Sequence, residues 1–76
     1  MSEEIKISCI GEGCVTEHVV KFRNAFVRTP QGGSFIIEGD NKDGLKEILK
    51  IAKFMGTQVE YIKEDENRWE VKFKKG

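Results

Sequence analysis

The sequence predicts an α+β two-layer sandwich of order βαβαββ, in which a four-stranded mixed sheet carries two helices packed on one face. Three observations lead there. Apolar residues alternate with period two at the start of the chain, Ile5, Ile7 and Cys9, and again near its end, Trp69, Val71 and Phe73. Between them lie two longer stretches of helical period, one opening near Val15 and one near Leu45. Glycines, the single proline or an acidic cluster stand where the period changes.

Strand one covers about Ile5 to Cys9 and ends at the glycines Gly11 and Gly13. Val15, Val19, Phe22 and Phe26 then step by four, three and four, with Lys21, Arg23, Asn24 and Arg28 elsewhere around the cylinder, as an amphipathic helix requires. The helix stops before Pro30, because the residue preceding a proline is pushed out of the helical region, and Gln31-Gly32-Gly33 follows as a flexible connection. Ser34 to Glu38 reads as a short, largely buried strand around Phe35-Ile36-Ile37. Asp40, Asn41 and Asp43 offer side-chain acceptors for the free amides at the start of a second helix. Its apolar face is Leu45, Ile48, Leu49, Ala52 and Met55, and Gly56 stands where a left-handed C-terminal cap is wanted. Gln58 to about Lys63 and the stretch from Trp69 form a hairpin about the turn Glu64-Asp65-Glu66-Asn67.

This order pairs the first two strands in parallel and the last two antiparallel, with both helices on one side. Ile36 and Ile62 are expected to face away from Phe35 and Tyr61, leaving the outer sheet face only partly polar.

Seventy-six residues make one domain, 1–76, since so short a chain buries only about 60% of its unfolded surface and has no second core to spare. Thirteen basic residues balance thirteen acidic ones, which weighs against a nucleic-acid binder driven by charge. No apolar run exceeds three residues and Met1 to Glu4 is acidic, so neither a membrane span nor a secretory signal is expected. A cytoplasmic protein is the expectation, and in such a reducing setting the two cysteines are not a disulfide scaffold. A single histidine and no phosphate-binding glycine loop leave hydrolytic catalysis poorly supported.

Cys14 follows Gly11-Glu12-Gly13 and immediately precedes the first helix, which places its sulfur at the N-cap or first turn. Unpartnered amides and the positive end of the helix dipole favour a thiolate at such a position. Glu12 and Glu17 oppose that effect by their charge. His18 lies one turn further along the helix, where it either assists Cys14 with a charge or a hydrogen bond or is a half-exposed helix residue. The alternation with Ile5 and Ile7 points Cys9 into the core, where a free cysteine behaves as a small hydrophobe. The competing pictures are a resolving thiol and, with His18, three zinc ligands; the latter has no fourth ligand and an irregular spacing. No metal is expected. Lys42, Lys46, Lys50 and Lys53, spaced four, four and three, form a basic stripe on helix two that is either a solvated face or a docking line for an acidic partner.

Taken together, Gly11-x-x-Cys14 opening a helix that continues Val19-Val20-Lys21-x-x-Asn24, then Gly32-Gly33-x-Phe35-x-Ile37-x-x-Asp40, a second helix, Gly56 and a final hairpin resemble the TusA/SirA family of small sulfur-carrier proteins over nearly the whole chain. The resemblance implies the same sandwich of two helices on a four-stranded sheet. It also implies that Cys14 carries a persulfide passed between sulfur-donor and sulfur-acceptor proteins; by their positions in this sequence, Gly11, Gly13, Glu17 and His18 are the residues expected to support it and the four lysines the expected docking surface. Where the family motif has proline after the cysteine and again two residues later, this chain has Val15 and Glu17. A first-turn proline is pre-organised but dispensable for the cap. No cofactor and no membrane are implied, nucleic acid is not favoured, and a monomer is expected. The alternative is a non-catalytic protein- or RNA-binding module on the same fold; a Cys9–Cys14 redox pair ranks last.

Overall fold

Ile5, Ile7 and Cys9 turn their side chains to one side of β1 (Ile5–Cys9), and Cys9 is fully buried. The computed structural model describes residues 4–75. After β1 come α1 (Val15–Arg28), β2 (Ser34–Gly39), α2 (Lys42–Phe54), β3 (Gln58–Glu64) and β4 (Trp69–Lys74). The sheet order is β1-β2-β4-β3, with β1 and β2 parallel and the other two pairings antiparallel. The βαβαββ sandwich and its mixed four-stranded sheet are as the sequence predicts.

The strands bury alternate residues: Phe35 and Ile37 from β2, and Trp69, Val71 and Phe73 from β4. Phe22 of α1 meets this surface edge-on, its ring centre 5.3 Å from that of Phe35 and 5.0 Å from that of Phe73. Leu45, Ile48 and Ala52 bring α2 onto the same core. A core of large interlocked side chains is what a chain of this length needs, because the apolar area it removes from water is the main term opposing the entropy of folding.

Two expectations about faces are corrected. The buried stripe of α1 is His18, Phe22 and Ala25, while Val15, Val19 and Phe26 are half-buried, because α2 packs beside α1 and covers its flank as well as its underside. In β3 a register shift between Val59 and Tyr61 inserts an extra residue, and the faces exchange. Tyr61 thus pairs with Lys72 on the outer face, and Ile62 pairs with Val71 on the helix side as a rim residue.

The outer face that results is polar. Lys6 lies 3.6 Å from Glu38 and 3.5 Å from Glu70, Lys72 lies 3.0 Å from Glu4, and the Tyr61 hydroxyl donates to Glu70 at 2.9 Å. Ile36 sits half-buried among these groups.

Candidate functional site

The parallel pairing of β1 with β2 sets Cys9 opposite Gly39, so the two loops that leave these strands start side by side. Gly11 takes a left-handed backbone, φ 81°, which glycine adopts without steric cost. Its amide donates to both carboxylate oxygens of Asp40, each at 3.1 Å, and this clamps the loop ahead of α1 to the loop ahead of α2. Asp40 therefore does not cap the second helix. Asn41 does, its side-chain oxygen accepting from the amides of Asp43 at 2.9 Å and Gly44 at 3.3 Å.

Cys14 is the N-cap of α1, in extended conformation with φ −94° and ψ 115°. Its side chain makes no capping hydrogen bond and is exposed as a free thiol. Its backbone is held on both sides. Glu12 Oε1 accepts the Cys14 amide at 3.1 Å, and the Cys14 carbonyl accepts the Glu17 amide at 3.1 Å. Lys21 donates to the Ser8 carbonyl at 3.3 Å and stands 3.9 Å from Glu12, tying the helix back to the end of β1.

His18 is fully buried rather than half-exposed. Its Nδ1 lies 2.9 Å from the carbonyl oxygen of Cys14. Its ring fills the space over Gly44, where any β-carbon would collide with it, and it lies tilted beside Trp69 at 6.1 Å between ring centres.

Of the other residues read as supporting, Gly11 has the conformation that demands glycine, whereas Gly13 does not have a positive φ. Glu17 is exposed in the first turn of α1 and acts through its backbone amide. The sequence marks Glu12 as a nearby charge and Asp40 as a cap candidate and a position of the family pattern, and it assigns neither the bond it makes here. The signal that would have assigned Asp40 is its place just past Gly39, one step beyond the residue that parallel pairing sets against Cys9.

Cys9 and Cys14 are both free thiols, one buried and one exposed. Burial raises the Cys9 thiol above its ordinary value, with the Lys21 ammonium acting against this and the Glu12 carboxylate adding to it. Among the described residues no group of three or more His, Cys, Asp or Glu side chains is arranged to hold a metal ion.

Lys42, Lys46, Lys50 and Lys53 are all exposed, and none forms an ion pair within 4.0 Å among the described residues. Lys42 also lines a shallow open depression with Gly11, Glu12, Gly13, Asp40 and Asn41, so the stripe begins beside the loop that presents Cys14. Among the described residues no helix is long and apolar enough to cross a membrane.

No protein-family model matches the sequence, and no curated protein matches it. Among solved structures, the crystal structure of a SirA-like protein from Desulfitobacterium hafniense is similar, with a TM-score of 0.79 and 29% sequence identity, over 95% of this chain and 97% of that one. A likeness of this quality over nearly the full length of both chains, together with the strand order and helix placement described above, shows that this chain has a SirA/TusA-like fold.

Proposed function

We propose that this protein is a small sulfur carrier that accepts and donates a persulfide sulfur at Cys14. The observation that carries the reading is the exposed, uncommitted Cys14 thiol at the N-cap of α1, on a chain with a SirA/TusA-like fold. In the loading step the Cys14 thiolate attacks the outer sulfur of a donor persulfide. A bond forms between Cys14 Sγ and that sulfur, the donor's S–S bond breaks, and its electron pair leaves on the donor cysteine as a thiolate. The hydrogen of the persulfide travels with the outer sulfur or is exchanged with water. Unloading is the same exchange in reverse sense: an acceptor thiolate attacks the outer sulfur and Cys14 departs as a thiolate. Nothing is oxidised or reduced overall, so the balance calls for no cofactor or metal.

Both half-reactions generate or consume a thiolate at Cys14, and the free amides at the start of α1 favour that anion. A carrier must also admit two partners in turn, which an exposed thiol on a rigid cap allows without a deep pocket. Lys42, Lys46, Lys50 and Lys53 suit partners with acidic surfaces, and the stripe starts beside the loop that leads into the cysteine, so contacts that steer a partner would bring it to the end of the molecule that carries Cys14. A reducing compartment such as the cytoplasm, where thiols stay free, is where such a relay works.

The test is mass spectrometry of the full chain after incubation with a cysteine desulfurase and cysteine, with peptide mapping. One added sulfur on Cys14, absent in Cys14→Ser, is the expected result. A parent protein that takes up no sulfur, or takes it up equally at Cys9, would sink the reading.

A further inference from the structure

His18 shows no exposure at all, yet it is a polar side chain whose two ring nitrogens fare differently. Nδ1 lies 2.9 Å from the Cys14 carbonyl oxygen. Nε2 is buried against the first turn of α2 and has no hydrogen-bond partner among the described residues. A carbonyl oxygen can only accept, so Nδ1 carries the hydrogen, and in the neutral ring Nε2 is left as a buried lone pair with no donor. A buried acceptor without a partner costs stability, and an apolar side chain of similar bulk would fill the same space without that cost. What leucine or methionine cannot do is donate a hydrogen bond to the residue that presents the thiol.

The seat of the ring is equally specific. Gly44 has no side chain where the ring lies, and a β-carbon there would clash with Nε2 and Cδ2. The Gly44 amide is itself capped by Asn41, and the Asn41 carbonyl accepts the Trp69 indole N–H at 2.9 Å. The ring is thus wedged between the N-terminal turns of the two helices, against a part of α2 that is held in place by its own bonds.

We propose that His18 is a positioning residue for Cys14: its Nδ1–H, donated to the Cys14 carbonyl, pins the extended N-cap conformation that keeps the sulfur exposed at the amide end of α1, and Gly44 is the vacancy that lets the ring reach it. The proposal deepens the reading of Cys14 as the reactive thiol and rests on it. With the bond gone, rotation about the Cys14 backbone is freer, and the sulfur spends less of its time where the helix amides favour the thiolate.

The experiment compares iodoacetamide alkylation of Cys14 in the parent, His18→Leu and His18→Asn, with melting curves and the parent's ring tautomer read by proton–nitrogen NMR. His18→Leu keeps bulk and loses the donor; Cys14 should react about threefold or more slowly while the melting temperature holds or rises, since misplacement rather than unfolding is the cause. His18→Asn, whose amide can donate to the same carbonyl, should recover the parent rate to within about twofold. The parent ring should show the Nδ1–H tautomer. An unchanged rate in His18→Leu, no recovery in His18→Asn, or an Nε2–H tautomer each overturns the proposal, and the tautomer needs no variant to fold. None of these readouts involves sulfur transfer. A parent that behaves as described but takes up no sulfur therefore refutes the carrier reading and leaves the role of His18 standing.

Discussion

The reactivity of a thiol depends on how readily it reaches solvent as an anion, and the two cysteines stand in opposite surroundings. Cys9 is enclosed at the end of β1, where burial raises its thiol and holds it neutral. Cys14 is exposed at a helix N-terminus with its sulfur free. Iodoacetamide at neutral pH should label Cys14 well before Cys9 in the folded protein, because Cys9 reacts only when the fold opens. Peptide mapping of a labelling time course separates them, and equal rates would withdraw the special standing of Cys14. Glu12 enters at this scale as well. Its carboxylate accepts the Cys14 amide, so it holds the N-cap residue in place without occupying the first amides of the helix.

At the scale of the elements, the start of α1 distinguishes two positions that the sequence presents alike. Cys14 already has the extended backbone that a residue before proline must adopt, and Val15 is the first helical residue. Val15→Pro should be neutral or stabilising by up to about 1 kcal/mol. Glu17→Pro instead deletes the amide that bonds the Cys14 carbonyl, and should cost about 1 kcal/mol. Urea denaturation of both variants checks the pair; the reverse order would mean that α1 begins elsewhere. The first turn of α2 offers a sharper case. Alanine is normally better than glycine in a helix by about 0.5 to 1 kcal/mol. At position 44 the added methyl meets the buried His18 ring, and overpacking of this kind costs about 1 to 3 kcal/mol. Gly44→Ala should therefore destabilise, and a gain in melting temperature would show that the ring does not occupy that seat.

At the scale of the whole molecule, Trp69 joins the layers. It is buried on β4, its ring lies over Gly39 where no side chain would fit, and its indole N–H bonds the Asn41 carbonyl at the start of α2. Trp69→Ala should cost about 3 to 5 kcal/mol in chemical denaturation, a large part of the stability of so small a domain. A loss below about 1 kcal/mol would mean that the last strand does not anchor the second helix. The opposite face of the sheet sets the acid response. The Glu70 carboxyl is held below the ordinary carboxylate range chiefly by the Tyr61 hydroxyl and further by Lys6, against some desolvation, and Glu4 is held down chiefly by Lys72 and Ser34. A carboxyl lower in the folded than in the unfolded chain stabilises fully above the unfolded value, about 4.3, and loses that contribution as pH falls through the folded one. The melting temperature should accordingly drop as pH falls below about 4, and less steeply in Glu70→Gln. Identical acid slopes in parent and variant would remove the Tyr61–Glu70 bond from the account. At the far end of the helices, Lys75 donates to the carbonyls of Phe26 at 3.0 Å and Thr29 at 2.9 Å, so the residue that follows β4 closes the C-terminus of α1.

The periodicities of the sequence determine the six elements and their order, the burial of Cys9, the placement of Cys14 at a helix start, and Gly56 as a left-handed cap, which it is with φ 73°. Each of these depends on residues within a few positions of one another, where side-chain spacing and backbone preference act directly. What a face meets is another matter. The single extra residue in β3 exchanges the sides of Tyr61 and Ile62, because strand faces alternate with every residue and one insertion reverses all that follow. His18 is buried because α2 lies over it and Gly44 leaves room, a partner 26 positions away that no helical period announces. Asp40 reaches Gly11 only because β1 and β2 run in parallel with Cys9 beside Gly39, and Lys75 reaches Phe26 only because β4 ends there. The local code thus determines the thiol's position in the chain, and the packing of the two helix N-terminal turns decides how that thiol is held.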